Sequence, residues 1–278
     1  MTPPVPTQPI IDQTMAPSLL EPLTDLVVAA SAAILEVARR EVSAESKQDG
    51  SPVTEADLAA DRIIVDGLTR LMPAVPVVSE ERVDRSTGPY LASFFIVDPL
   101  DGTREFIAGH DDYTVNVALV TNGRPLLGVI SAPALGLLWR GVVGSGAERM
   151  ELSADPAKRA ASLATIRPRP WPRGPWLAAV SRSHGDPRTD AFIDSRGGAG
   201  RVPIGSALKF CRVAEGAVDI YPRLSAISEW DIAAGHAILE AAGGVVTDSR
   251  GQPIRFGQRK GEFAVPEFIA WGDAAQAR

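Results

Sequence analysis

The decapeptide Val-Asp-Pro-Leu-Asp-Gly-Thr-Arg-Glu-Phe, residues 97–106, follows the apolar run Phe94-Phe95-Ile96 and carries two carboxylates three positions apart. Pro99 holds one backbone dihedral near a single value and Gly102 permits a positive φ, so a sharp turn is expected at the end of a buried strand. Asp98 and Asp101 can then aim at one point, with the Leu100 carbonyl exposed between them. A cluster of carboxylate and carbonyl oxygens suits a hard divalent cation.

Three other places supply acids. Glu80 and Glu81 stand at the end of a short apolar run, Asp57 three residues after Thr54, and Asp231 directly after Trp230. Each has a plain structural reading. Asp57 completes a capping box with Thr54. Asp231 sits in a first helical turn, where a negative charge complements the helix dipole. Glu80-Glu81 also reads as a solvated pair. If the acids converge, electrostatics demands a counter-ion, because two like charges ~4 Å apart repel by roughly 4 kcal/mol at an effective dielectric of 20. With all-oxygen ligands and no suitable Cys/His pair, that ion is Mg²⁺ or Mn²⁺ rather than zinc. Two such ions are a device for phosphoryl transfer to water.

The elements that must position these residues can be read from periodicity. Residues 1–17, rich in Pro, Thr and Gln, read as a disordered leader. Leu23, Val27, Ala30, Ile34 and Val37 recur at helical spacing up to about Arg40. Residues 43–52 read as a loop, and Thr54 as the N-cap of a helix to about Met72. Strands are expected over 75–78, 94–97, 113–120 and 126–131, the last two joined by the Asn122-Gly123 turn, and over 137–143. Residues 154–176 lose periodicity and gather Pro and Arg, which puts the boundary between an N-terminal α+β lobe, 18–153, and a C-terminal α/β lobe, 154–278. In the second lobe strands over 176–180, 201–204, 218–221 and 245–247 alternate with helices at 189–193, from Gly205-Ser206 to about Glu215, and from Trp230 to Ala242.

Bulk properties set the outer limits. The 278 residues are 45% hydrophobic, enough for a large core. A net charge of −6 without a basic patch argues against a nucleic-acid polymer as partner. Cys211 is the single cysteine, so no intrachain disulfide can form and a reducing compartment is expected. The longest apolar run, Leu26–Leu35, is shorter than the ~20 residues of a bilayer span. These features predict a cytoplasmic protein without an integral membrane segment, peripheral attachment to the inner membrane being left open. Monomer and homodimer are equally compatible with them.

Taken together, the chain resembles the inositol monophosphatase superfamily of metal-dependent, lithium-sensitive phosphatases. The resemblance rests on Ser51-Pro-Val-Thr-Glu-Ala-Asp57, Ser79-Glu-Glu81, Asp98-Pro-Leu-Asp-Gly-Thr103 and Glu229-Trp-Asp-Ile-Ala-Ala234, and it covers nearly all of the chain after the leader. Within that superfamily, Arg104-Glu105-Phe106, Ser181-Arg-Ser-His184, Gly205-Ser-Ala-Leu-Lys-Phe-Cys211 and Asp219-Ile-Tyr-Pro-Arg223 look like the bacterial CysQ-type 3'(2'),5'-bisphosphate nucleotidases. Arg104 and Ala207 depart from the Lys and Ser of many relatives.

The resemblance implies a layered αβαβα sandwich, of mixed α/β and α+β class. It implies two Mg²⁺ ions, with room for a looser third and with Mn²⁺ as a substitute, held by Glu80, Asp98, the Leu100 carbonyl, Asp101 and Asp231. It implies that Thr103 and Asp57 orient a water, made acidic by the cation, and accept its proton. Backbone N–H groups of Gly102 and Thr103 would receive phosphate oxygens. Gly205 and Ser206, expected at a helix N-terminus, would bind ribose or phosphate. Lys209 and Arg223 are candidates for the second phosphate of a bisphosphate nucleotide, and His184 for the sugar or base. Arg223 also reads as a surface residue and His184 as a structural one. The expected reaction is hydrolysis of 3'-phosphoadenosine 5'-phosphate to AMP and phosphate, clearing a by-product of sulfate assimilation. An inositol-phosphate, fructose-bisphosphate or histidinol-phosphate phosphatase keeps the chemistry and changes the substrate. A sensor that binds nucleotide and metal without turnover is the alternative of a different class.

Overall fold

The computed structural model describes residues 9–40, 44–46, 52–83, 92–153, 160–183, 185–197, 199–258 and 262–277. The chain opens with helix α1 (Ala16–Ala38), the hairpin β1 (Ala44–Ser46) and β2 (Pro52–Thr54), and helix α2 (Glu55–Leu71). Strands β3 (Val77–Ser79) and β4 (Ser93–Asp101), the one-turn helix α3 (Thr103–Ile107), and strands β5 (Thr114–Thr121), β6 (Arg124–Ala132), β7 (Leu137–Val142), β8 (Gly146–Leu152) and β9 (Ala160–Thr165) follow. These seven strands form one sheet in chain order, antiparallel except for the parallel β3–β4 pair. Then come β10 (Trp176–Ser181), α4 (Pro187–Ser195), β11 (Ala199–Ile204), α5 (Leu208–Ala214), β12 (Ile220–Arg223), β13 (Ile227–Ser228), α6 (Glu229–Ala242), β14 (Val245–Thr247), β15 (Ala264–Val265) and β16 (Phe268–Trp271). A second sheet has the order β11-β10-β12-β16-β14, parallel at β10 and antiparallel around β16.

The layers follow from alternation along the strands. In β4, Phe95 and Val97 face a core shared with α1 and α2, whereas Phe94 and Ile96 face a core shared with α5 and α6. Helices α5 and α6 reach the second sheet on their far side, and α4 covers that sheet's outer face through Ile193, packed with Ile220 and Trp271. The result is the expected αβαβα sandwich. Two close approaches tighten it. A Cβ on Gly128 of β6 would lie 2.2 Å from the Ala234 carbonyl oxygen of α6. A Cβ on Gly235 would lie 2.4 Å from the Phe210 ring of α5.

Several local expectations hold. Asn122 (φ 51°) and Gly123 (φ 73°) make the left-handed turn between β5 and β6. Gly243 (φ 105°) ends α6. Others need correction. Part of the expected leader is ordered: Ile11 is buried, its N–H donates to Ser93 Oγ at 2.7 Å, and its carbonyl accepts from Thr121 Oγ1 at 2.8 Å. Residues 1–8 lie outside the described residues. The loop expected at 43–52 contains the β1–β2 hairpin. The first sheet continues into β9, past the 153/154 boundary; β9 is largely exposed and so carries no apolar periodicity that would mark it as a strand.

Helix α1 begins seven residues before the first periodic position. At 23 residues it is long and apolar enough to cross a bilayer by length and composition. Its Leu19, Leu23, Val27, Ala30 and Ile34 are instead buried against α2 and the first sheet.

Candidate active site

The Asp98–Thr103 segment is a strand end broken by a bulge. Asp98 pairs with Asn116 and Asp101 with Thr114, so Pro99 and Leu100 stand opposite the single residue Val115. The bulge turns Asp98 and Asp101 toward the same side. The Leu100 N–H donates to Asp98 Oδ1 at 3.1 Å, and Gly102, at φ 92°, lets the chain turn directly into α3.

Glu80 follows the parallel strand β3 in a 3-10 turn. Buried Asp61 of α2 holds both ends of that turn: it accepts from Ser79 Oγ at 2.5 Å and from Arg82 Nε at 2.5 Å. Asp231 lies in the first turn of α6, which the Gly128 and Gly235 contacts press between the sheets. Carboxylate oxygens of Glu80, Asp98 and Asp231 all lie within 4.8 Å of one another. Burial, then the charges of Glu80, Asp101 and Asp231, pushes the Asp98 carboxyl well above the ordinary carboxylate range. Burial and the charges of Asp101 and Glu80 do the same to Asp231. Asp101 is raised by burial, against the opposing pull of Lys209 and of the hydrogen bond from Ser206. An acidic cluster of this kind, with Asp98 buried and its partners half-buried, can hold a hard cation, and it fits the all-oxygen donor set expected of Mg²⁺.

Asp57 does two things at once. Its Oδ2 accepts from the Thr54 N–H at 2.8 Å and from Thr54 Oγ1 at 2.6 Å, completing the capping box of α2. Its Oδ1 accepts from Thr103 Oγ1 at 3.0 Å. One side chain thus completes the helix cap and accepts from Thr103 at the same time. Asp57 stands behind Thr103 rather than on the cleft wall.

The cleft itself, about 300 Å³, gathers the expected residues Glu80, Asp98, Leu100, Asp101, Gly102, Thr103, Gly205, Ser206, Lys209, Arg223 and Asp231. His184 lies outside the described residues. One placement differs from expectation. Gly205 and Ser206 do not open a helix, since α5 starts at Leu208 and has only seven residues. The Gly205 N–H donates to Asp112 Oδ2 at 2.9 Å, and Ser206 Oγ donates to Asp101 Oδ2 at 2.9 Å. Lys209 is buried, and its Nζ donates to the carbonyls of Ile204 at 3.2 Å and Ser206 at 2.6 Å. Burial lowers its pKa to about 8. Arg223 is no surface residue: its Nε is buried with no acceptor among the described residues.

Sequence reasoning missed other parts of the wall. Arg104, Glu105, Ser181 and Tyr221 also line the cleft. Arg104, Glu105, Ser181 and Tyr221 all stand in segments that carried the resemblance, which was the available signal. Asp61 and Asp112 had no local signal.

The fold and site define a phosphatase, and the chain belongs to the inositol monophosphatase family, whose profile matches residues 17–275. It is similar to the 3'(2'),5'-bisphosphate nucleotidase CysQ of Escherichia coli strain K12, at 38% identity over 253 residues, 90% of this chain and 98% of the relative. The CysQ of Salmonella typhimurium strain LT2 matches to the same extent. Among solved structures, CysQ from Bacteroides thetaiotaomicron superposes with a TM-score of 0.79 at 34% identity, covering 92% of this chain and 97% of that one. An inositol monophosphatase from Thermotoga maritima superposes with a TM-score of 0.73 at 27% identity, covering 92% and 93%.

Proposed function

We propose that this chain is a Mg²⁺-dependent 3'(2'),5'-bisphosphate nucleotidase that hydrolyses the 3'-phosphate of 3'-phosphoadenosine 5'-phosphate to AMP and phosphate. The observation that carries the reading is the convergence of Glu80, Asp98 and Asp231 in a cleft that Lys209 and Arg223 also line. The similarity to the nucleotidases across nine-tenths of the chain supports the substrate class.

Glu80, Asp98, Asp101, Asp231 and the Leu100 carbonyl would hold the cations, two in number with a third more loosely bound, Mn²⁺ replacing Mg²⁺. When bound, the metal neutralises phosphate charge and acidifies water. The protein's own groups do the rest. Thr103 Oγ1, already donating to Asp57 Oδ1, relays a proton from the attacking water to the carboxylate behind it. Gly102 and Thr103 line the cleft, and their N–H groups would serve as donors for the reacting phosphate. The Arg223 guanidinium, which lines the cleft, would pair with the second phosphate, and charge-assisted pairing there favours a bisphosphate over a monoester. A side cavity of about 180 Å³ opens past Ser181, Tyr221 and Arg223 toward Asp186 and Thr189, giving room for a nucleoside.

Turnover of 3'-phosphoadenosine 5'-phosphate and of inositol 1-phosphate, measured side by side with Mg²⁺, tests the reading. The nucleotide is expected to be the better substrate by kcat/KM. A preference for the inositol ester would replace this substrate with a polyol phosphate, and absence of phosphate release from both would return the non-catalytic sensor.

A further inference from the structure

We propose that Asp112 is a positioning residue for Asp101, acting from the segment before β5 through Gly205 and Ser206, which follow β11. Asp112 lies between α3 and β5, and its Oδ2 makes two bonds to the other lobe. It accepts from Arg182 Nη2 at 2.6 Å and from the Gly205 N–H at 2.9 Å. Gly205 is pressed against it: a Cβ there would lie 2.5 Å from Asp112 Cβ and 2.7 Å from its carbonyl oxygen. The contact therefore requires a glycine at 205 and a side-chain acceptor oxygen at 112.

The next residue shows what the contact holds. Ser206 has φ 53°, a left-handed conformation that a non-glycine residue adopts only when neighbours impose it. In that conformation Ser206 Oγ donates to Asp101 Oδ2 at 2.9 Å and meets Thr114 Oγ1 at 2.5 Å. The Ser206 carbonyl is gripped from the other side by Lys209 Nζ. Ser206 thus holds one oxygen of Asp101 at 2.9 Å, Asn116 Nδ2 reaching the same oxygen only at 3.4 Å and the Ala207 backbone adding a further bond. Without the Asp112 contact the 205–206 turn is free to relax toward an ordinary backbone conformation, and the serine hydroxyl leaves Asp101. A separate bond, Ser183 Oγ donating to Glu105 Oε1 at 2.5 Å, joins the segment after β10 to α3 and does not involve Ser206.

This inference rests on the metal-dependent reading, and the test separates the two. Mg²⁺ binding is measured by calorimetry on wild type, Asp112→Ala, Asp112→Asn, Ser206→Ala and the double variant Asp112→Ala/Ser206→Ala, alongside the Mg²⁺ concentration for half-maximal phosphatase activity. Loss of a residue that orients a ligand is expected to weaken Mg²⁺ binding about tenfold in Asp112→Ala and in Ser206→Ala. Asp112→Asn, which keeps an acceptor oxygen for the Gly205 N–H, should recover most of that affinity. The double variant should be no weaker than Ser206→Ala alone, because both changes cut one route. Wild-type affinity in Asp112→Ala, or losses that multiply in the double variant, would overturn the proposal. If Asp112→Ala does not fold, unchanged Mg²⁺ binding by Ser206→Ala overturns it equally. Absence of Mg²⁺ binding by the wild type would sink the metal-dependent reading instead.

Discussion

Thr103 Oγ1 and Asp57 Oδ1 lie 3.0 Å apart, joining the first turns of two helices across 46 residues of chain. The same carboxylate caps its own helix through Thr54. Asp57→Asn keeps an oxygen for the cap and removes the basic group. It is expected to lower kcat by about 10²–10⁴-fold, the worth of a general base, while costing about 1 kcal/mol of helix stability. Thr103→Ala should lower kcat similarly and Thr103→Ser should restore it. Steady-state kinetics and thermal melts check this, and kcat within threefold of wild type for Asp57→Asn would contradict the relay.

The acidic cluster predicts a metal-linked pH dependence of stability. Asp98 and Asp231 have folded-state pKa values above their unfolded ones, because burial and neighbouring carboxylates penalise the charged form. The folded chain therefore binds more protons than the unfolded chain between the ordinary carboxylate pKa, about 4, and the raised values, and stability falls as pH rises through that window. Melting in EDTA should move to lower temperature from about pH 5 to pH 7.5, and Mg²⁺ should raise Tm more at the upper pH. Melts in EDTA that do not respond to pH would contradict the cluster's electrostatics.

Arg223 is the proposed discriminator of the second phosphate. Arg223→Ala should lower kcat/KM for the bisphosphate nucleotide by about 10–100-fold, the worth of one charge-assisted hydrogen bond, and change turnover of a monoester such as 2'-AMP far less. Equal losses on both substrates would assign Arg223 to the reacting phosphate.

Lys209 titrates near 8, so its charge is lost over an accessible range. If that charge serves substrate binding, kcat/KM for the bisphosphate should fall above about pH 8 while kcat changes less. Lys209→Met should remove this alkaline limb and cost about 1–3 kcal/mol, since the Ile204 and Ser206 carbonyls lose their donor. A pH profile and urea unfolding measure both effects; an unchanged alkaline limb in Lys209→Met would place the titration elsewhere.

Much of the chemistry was local and hence readable in the residues alone. A strand end with Pro99 and Gly102, a cap made by Thr54 and Asp57, and acids in the first turn of α6 are all short-range patterns, governed by backbone dihedrals and orphan N–H groups within a few residues. The Asn122-Gly123 turn was legible for the same reason. Periodicity marked most strands of both sheets, but it failed at β9, whose exposed side chains have no face to bury, and it placed the start of α5 at Gly205 because a glycine-serine pair looks like a helix entry. What only the packed molecule decided is how distant segments meet. Asp61 steadies the turn of Glu80, Asp112 bears on Gly205, and Ser206 turns to Asp101, each across tens of residues. Lys209 and Arg223 changed character on folding, one spending its donors on its own backbone and the other losing solvent around Nε. Such contacts depend on the approach of α6 to Gly128 and of α5 to Gly235, a property of packed volumes that no spacing along a single segment encodes.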